Sequence, residues 1–100
     1  MTDTIGKLSP KAAEAKIREI AKLGTVTLGT HCTKRMRERS IDTQDLRNIL
    51  DTCVVTGPPE YDQTHQQWKY KARGFVIDGD RAVAITIIVN HRELFIVTVY

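Results

Sequence analysis

Long apolar segments are absent from this chain of 100 residues. No apolar stretch approaches the roughly 20 residues that a membrane-spanning helix needs. Residues 1–4 also lack the basic segment, followed by an apolar one, that marks a secretory signal. We therefore expect a cytoplasmic protein with no membrane partner. The length allows one hydrophobic core but not two, so residues 1–100 are predicted to form a single domain.

Cysteine is scarce as well. The two cysteines, Cys32 and Cys53, lie too far apart in sequence for a CxxC site. Together with His31 and His65 they would have the donor types of a zinc site, but His31 and Cys32 are neighbours on a predicted helix and point about 100° apart. We expect two buried free thiols and no metal.

Familiar catalytic motifs are missing too. The chain has no phosphate-binding glycine loop, no GxSxG elbow, no HExxH pair and no dinucleotide fingerprint. We therefore expect no cofactor. The candidate reactive side chains that remain are a set of cations, one histidine, His31, and several tyrosines.

The first half of the chain has the pattern of two to three helices. Local signals give the expected starts and ends: Ser9-Pro10 and Gly24 for the first helix, Thr30 or His31 and Ser40 for the second, and Asp42 with an Ile41–Leu46 staple for the third. Thr25-Val26-Thr27-Leu28, between the first two helices, is consistent with a short strand.

After Cys53 the apolar period changes from helical to alternating. Residues 60–66 are polar and are predicted to form a loop, and Asp78-Gly79-Asp80 is a hairpin signal. Strands are predicted at residues 54–56, 68–77, 82–89 and 94–100, with 82–89 in the centre because it is apolar on both faces. The predicted fold is α+β, with the helices packed on one face of a four-stranded antiparallel meander sheet.

Basic residues are concentrated in two stretches, 34–39 and 69–73, while acidic residues cluster elsewhere. The net charge of +3 and the pI near 9.0 are only mildly basic. The clustering is therefore the stronger indication, and it favours contact with phosphate groups over a uniformly solvated surface.

The first basic stretch, residues 31–39, sorts into separate stripes on a helix. Cys32 and Met36 lie together and can face a core. His31, Arg35 and Arg39, spaced i, i+4 and i+8, form a stripe directly beside them. Since a solubilising surface needs no arginines bordering the core, these three residues are candidates for binding or catalysis.

These residue types fit metal-independent RNA cleavage, which needs an acid, a base and cations. His31 can serve as the acid or base because histidine titrates near neutrality. Arg35 and Arg39 can hold the phosphate and stabilise its developing charge. On the alternating strand, the candidates for nucleic-acid binding are Lys69, Lys71 and Arg73, and Tyr70 or Tyr100 can stack on a base or share in proton transfer.

Each candidate also has a purely structural explanation. His31 can cap its helix, and the two arginines can pair with Glu38, Asp42 or Asp45. The strand cations can simply face solvent while Trp68 and Tyr70 enter the core. Tyr100 can cover an edge of the core.

The order of these motifs resembles a family of small prokaryotic and phage proteins. The resemblance rests on His31-x3-Arg35-Met36-x2-Arg39-x-Ile41, Trp68-Lys69-Tyr70-x3-Gly74, Asp78-Gly79 and the closing Ile96-Val97-Thr98-Val99-Tyr100. This poorly characterised family is grouped with the RelE/ParE-like toxins, among the barnase- and RelE-like ribonuclease folds. It covers residues 25–100, which leaves residues 1–24 as an additional N-terminal helix. Cys32 stands where the family usually has alanine.

The resemblance implies a toxin-like domain that acts on RNA, free or on the ribosome, and that a partner antitoxin neutralises. It assigns functional weight to a set of six residues: His31, Arg35, Arg39, Tyr70, Thr98 and Tyr100. ParE-like relatives are not ribonucleases, so the resemblance does not fix the activity. Two alternatives are a non-catalytic nucleic-acid-binding module and an interaction domain whose last strand pairs with a partner or with a second copy in a homodimer.

Overall fold

The computed structural model describes residues 6–100, and over this range the helices largely precede the strands. The elements in chain order are α1 (Pro10–Leu23), β1 (Thr25–Leu28), α2 (Thr30–Glu38), α3 (Thr43–Asp51), β2 (Glu60–Asp62), β3 (Gln67–Phe75), β4 (Arg81–Asn90) and β5 (Glu93–Val99). The predicted α+β class and helix-before-sheet layout are confirmed. None of the helices in this range is long and apolar enough to cross a membrane.

The helix starts follow the local sequence signals. The Ser9 side chain accepts a hydrogen bond from the Ala12 N–H, and Pro10 occupies the first turn. Asp42 and Asp45 form a reciprocal capping box at the start of α3. α1 ends at Gly24, which is extended, and a Cβ there would clash with the carbonyl oxygen of Arg92. Glycine is therefore required by close packing.

The sheet has five strands, in the order β1-β5-β4-β3-β2, and it is mixed. The prediction of four antiparallel strands is wrong in number and in direction. β1 runs parallel to β5, because the chain crosses the helical layer before it returns to the sheet. The prediction that the strand at residues 82–89 is central is confirmed: it is β4, with β3 and β5 antiparallel on either side of it.

Two segments of the predicted meander also differ. Residues 54–56 make only a bridge between Val54 and Arg73, rather than a strand. The segment predicted as a loop contains β2, which pairs antiparallel with β3. Edge pairing requires only backbone donors and acceptors, so the polar sequence of β2 gave no sign of it.

The helices cover one face of the sheet. The core combines α1, α2 and α3 residues with every second residue of the central strands, and its strand members include Tyr70, Ala72, Ala84, Leu94 and Ile96. β3 comes very close to α3 at Gly74, where a Cβ would clash with the Ile49 carbonyl oxygen. Gly74 itself pairs regularly with Ala82 of β4. We call the opposite face of the sheet the open face.

Candidate nucleic-acid interface

A groove of about 260 Å³ lies on the open face. Its polar lining includes Lys69 and Lys71 of β3, Thr98 of β5, Tyr100 and Glu60. The remaining lining residues are Pro58, Tyr70, Ile85 and Val97. The structure thus brings five of the predicted site residues to one groove, and two of the five are lysines.

The alternation of β3 selects which of its side chains face the groove. Lys71 and Arg73 are exposed, whereas Tyr70 and Ala72 between them are buried against the helices. Lys71 stands opposite Ile85 on β4, and Ile85 stands opposite Thr98 on β5. The three residues form one row across the open face.

A β-bulge in β5 turns Thr98 toward this face. Ile96 pairs with Thr86 and Thr98 pairs with Ile85, so Val97 is the extra residue. Without the bulge, Thr98 would point into the core like Leu94 and Ile96. Its hydroxyl oxygen is buried and has no hydrogen-bond partner within residues 6–100. Because buried polar groups are normally paired, this hydroxyl is available to a ligand if the side chain rotates.

The cations of the open face are only partly neutralised. Lys69 stands opposite Glu60 across β2 and β3, and its Nζ lies 3.8 Å from the Asp62 carboxylate. Within residues 6–100, no carboxylate lies within ion-pair distance of Lys71 or Arg73. The row that contains Lys71 therefore presents uncompensated positive charge.

The predicted α2 stripe is exposed. Cys32 and Met36 are buried as predicted, while His31, Arg35 and Arg39 all face solvent. α2 packs against β5, the strand that carries Thr98, yet none of these three residues is among those that line the groove. The stripe and the groove are thus separate surfaces flanking the same strand.

The two arginines of the stripe have different surroundings. Arg35 makes one long ion pair with Glu38, at 3.8 Å between partly exposed side chains, and such a pair contributes little to stability. Arg39 borders a second cavity of about 260 Å³, whose charged lining residues are Asp45, Asp78, Asp80 and Arg81. This acidic surrounding makes the Arg39 cavity a poor site for a phosphate.

Tyr70 lies on the other side of the sheet from the strand cations. Its side chain is 2% exposed, and its hydroxyl accepts a hydrogen bond from the Leu8 N–H at 2.8 Å. Burial raises the pKa of the Tyr70 phenol, and the hydrogen bond from Leu8 opposes this rise. Tyr70 therefore connects the segment before α1 to the core, and its ring is not available to stack on a base.

A polar cluster that was not predicted as a site lies at the β2–β3 turn. The Nδ1 atom of His65 is 3.2 Å from Oδ2 of Asp62, and the His65 backbone N–H donates to Oδ1 of the same carboxylate. The signal in the sequence is only the spacing of Asp62 and His65 by three residues. That spacing is common, and it carries no information unless the turn between two strands is recognised.

The two cysteines are buried and free, as predicted. Burial raises the pKa of both thiols to about 11. They are therefore protonated near neutral pH and are poor nucleophiles there. In the part of the chain that the structure describes, no group of three histidine, cysteine, aspartate or glutamate side chains is placed to hold a metal ion.

Comparison with known proteins gives one match. Residues 28–100 match the model of DUF4258, a domain of unknown function. The match begins at the last residue of β1, so it includes α2, the groove and the turn that carries His65. No curated protein and no solved structure matches the chain.

Proposed function

The chain belongs to the DUF4258 family, and we propose that it is a toxin-type endoribonuclease, related to the RelE/ParE-like toxins, that cleaves RNA without a metal. The single observation that carries this proposal is the groove on the open face. It combines Lys69, Lys71, Thr98 and Tyr100 on a surface that no described helix covers. Cations and a terminal aromatic beside a shallow groove suit a single-stranded nucleic acid.

The proposed cleavage is a transfer within the RNA. A base removes the proton of a 2′-hydroxyl, and the 2′-oxygen forms a bond to the adjacent phosphorus. The bond from phosphorus to the 5′-oxygen of the next nucleotide then breaks, and an acid donates a proton to that oxygen. The products are a 2′,3′-cyclic phosphate and a free 5′-hydroxyl, with no net gain or loss of protons.

The α2 stripe supplies groups of the types that this reaction needs. His31 is proposed as an acid or base, and Arg35 is proposed to stabilise the charge on the phosphorane. Arg39 has the weaker share in this role, because the aspartates of its cavity offset its charge. The exposure of the stripe and the packing of α2 against β5 support this role. Tyr100, which is 40% exposed beside the groove, is proposed to stack on a base or to share in proton transfer.

One observation favours a second candidate, an RNA-binding module without catalysis. His31 and Arg35 do not line the groove that holds the strand cations. If the RNA contacts only the groove, the α2 stripe would strengthen binding through its charge and would take no part in chemistry. The two candidates share the binding surface and differ in whether cleavage products form.

A toxin of this type requires a neutralising partner, and we propose an antitoxin protein as that partner and the cytoplasm as the place of action. Pairing of the last strand with a partner strand is less favoured. β5 lies between β4 and β1, so both edges of its first half are occupied. Among the described residues, β1 and β2 form the two outer edges of the sheet.

The experiment is expression of the full chain in cells, followed by analysis of RNA integrity and growth. The wild type is expected to inhibit growth and to produce RNA fragments with cyclic-phosphate ends. His31→Ala and Arg35→Ala should abolish both effects, whereas Arg37→Ala, an exposed residue of α2 outside the stripe, should not. Growth inhibition without fragments would favour binding alone, and full cleavage in both stripe variants would remove the α2 stripe from the mechanism.

A further inference from the structure

A second histidine faces the open side of the sheet, outside the α2 stripe. The ring of His65 packs against the ring of Phe95, with centroids 5.1 Å apart. Phe95 pairs with Ile87, which in turn pairs with Lys69 of β3. Phe95 is therefore two strands, or about 10 Å, from β3. To reach it, the turn of residues 63–66 must fold across the open face.

This fold-over explains the burial of Ile87. Ile87 points to the open face, where no described helix packs, and yet it is only 1% exposed. The row formed by Lys69, Ile87 and Phe95 lies directly beside the row formed by Lys71, Ile85 and Thr98. The turn thus covers Ile87 and Phe95 of the first row, whereas Lys69 of the same row lines the groove together with the second row. His65 stands at the boundary between them.

Asp62 holds the His65 ring in one orientation. Its carboxylate accepts from Nδ1 and from the backbone N–H of His65, and the Lys69 ammonium lies 3.8 Å away. Burial of the Asp62 carboxyl acts to raise its pKa, but these hydrogen bonds and the charges of His65 and Lys69 outweigh burial, so the pKa lies below 3.8. Asp62 is therefore a carboxylate at neutral pH.

The hydrogen bond to Asp62 fixes the tautomer. A carboxylate accepts hydrogen bonds only, so Nδ1 of His65 must carry a proton. In the neutral ring Nε2 is then unprotonated, and its lone pair makes no hydrogen bond within residues 6–100. A histidine whose Nδ1–H is held by a buried carboxylate has the arrangement of an oriented general base.

We propose that His65 is the general base of the RNA cleavage described above, and that Asp62 is its positioning residue. The proposal rests on the proposed function and assigns its proton acceptor. Lys69 connects the two parts of the site, since it contacts Asp62 and also lines the groove. A phosphate held at Lys69 and Lys71 would place the adjacent 2′-hydroxyl at the end of the groove that the turn closes.

The proton balance is complete with this assignment. Nε2 of His65 takes the proton of the 2′-hydroxyl as the 2′-oxygen bonds to phosphorus, and the resulting imidazolium is stabilised by the Asp62 carboxylate. The leaving 5′-oxygen receives its proton from an acid, and protonated His31 of the α2 stripe is the proposed donor. Exchange with water returns His65 to its neutral form and His31 to its protonated form before the next cycle.

Four charged side chains lie near His65. Asp62 and Lys69 belong to β2 and β3, Glu60 stands opposite Lys69, and Glu93 lies two residues before Phe95 on β5. Of these, Asp62 alone contacts the imidazole ring. Replacing Asp62 with Asn should therefore lower kcat and leave KM nearly unchanged, because the ring loses the carboxylate that orients it while the groove keeps its lysines.

The test compares purified full-length variants on a short single-stranded RNA of mixed sequence, alone and with ribosomes. His65→Gln is expected to lower kcat by about 100-fold or more with little change in KM. His91→Gln, a histidine in the exposed β4–β5 turn, is the matched control and should keep full activity. Lys71→Ala should show the opposite split, with a raised KM and a nearly unchanged kcat. Asp62→Asn should lower kcat with little change in KM, as expected for a residue that positions the base.

A second measurement does not require cleavage. Imidazole NMR signals of the wild type are followed as 2′-O-methyl RNA, which cannot be cleaved, is added. The signals of His65 should shift and those of His91 should not.

The outcomes separate the two levels of the proposal. If wild type and His65→Gln cleave equally, or if the His65 signals stay fixed while RNA binds, His65 is not the base and the ribonuclease proposal stands. If the wild type neither binds nor cleaves RNA, the ribonuclease proposal fails and the role of His65 fails with it. If His65→Gln does not fold, the NMR titration of the wild type tests the role of His65 instead, through the shift of its imidazole signals on RNA binding.

Discussion

The two faces of the central sheet are built from the same strands but are specialised for different tasks. The face toward the helices carries Tyr70, Ala72 and Ile96, which are almost fully buried. The open face carries Lys71, Arg73 and Thr98, each directly adjacent in sequence to a buried residue. Because neighbouring residues of a strand point to opposite faces, the residues that stabilise the core and those proposed to bind RNA occupy alternating positions of one segment.

The largest expected difference between the two faces is in the stability lost when a side chain of β5 is shortened. Ile96→Ala should lower the free energy of unfolding by about 2–5 kcal/mol, because Ile96 is fully buried against the helices. Val97→Ala, at the bulge on the open face, should cost less than about 1 kcal/mol. Denaturant unfolding measures both. Equal costs would contradict the assignment of the core to one face.

The next difference concerns the close approach of β3 to α3. Gly74→Ala should destabilise the protein by roughly 1–3 kcal/mol, because the added methyl group would meet the Ile49 carbonyl oxygen and lie 2.9 Å from the Thr52 hydroxyl. Gly57→Ala is the control, since its Cβ would have no neighbour within 4 Å. Thermal denaturation should separate the two variants by several degrees. A wild-type melting temperature for Gly74→Ala would show that the contact is looser than described.

A smaller effect is expected from the polar end of Tyr70. Tyr70→Phe keeps the ring in the core but leaves the Leu8 N–H without its acceptor. The expected loss is about 1 kcal/mol, together with faster hydrogen exchange at Leu8. RNA binding should be unchanged because this side chain faces the helices. Weaker RNA binding with unchanged stability would instead move Tyr70 to the interface.

The smallest expected difference in stability comes from Asp62 on the open face, and it depends on pH. Its pKa is lowered in the folded state, so its contribution is fully present above the ordinary value of 3.8 and is lost as the pH falls through the lower, folded value. The stability gap between wild type and Asp62→Asn should therefore be constant near neutral pH and should narrow below about pH 4. Urea unfolding of both proteins across this pH range measures the difference. A difference that grows as the pH falls through 4 would contradict the prediction.

Much of the helical layer and the central sheet could be predicted from local signals. The capping residues Ser9 and Asp42 start helices where expected, and Cys32 and Met36 are buried on the expected side of α2. The alternation of β3 is also confirmed. In each case the information lies within a few residues, so a short segment suffices to specify the structure.

The short strand expected at residues 25–28 is confirmed as β1. Its place in the sheet and the existence of β2 could not be predicted from the sequence, for a common reason. β1 and β2 are four and three residues long, and backbone pairing with a distant segment determines their place. The direction of β1 depends on where Thr25 meets Arg92, which no local pattern reports. The contact of His65 with Phe95 could not be predicted either, because it requires that β2 pairs with β3 and that the turn between them folds across the sheet.

The bulge at Val97 is a feature of the candidate site that residue alternation does not predict. Strict alternation from Ile96 would place Thr98 in the core, and only the extra residue turns it to the open face. In the sequence, Thr98 was singled out by family resemblance and not by periodicity. A bulge is set by the pairing of β5 with β4, which involves two segments at once.

The most direct test of the central claim is the salt dependence of RNA binding. Fluorescence anisotropy with a labelled single-stranded RNA compares wild type, Lys71→Ala on the open face and Lys11→Ala, an exposed lysine on α1 that serves as the charge-matched control. We expect Lys71→Ala to weaken binding and to lower the slope of log Kd against log salt by about 0.7, the loss of one phosphate contact, while Lys11→Ala matches the wild type. Identical slopes for all three proteins would contradict the assignment of RNA binding to the open face.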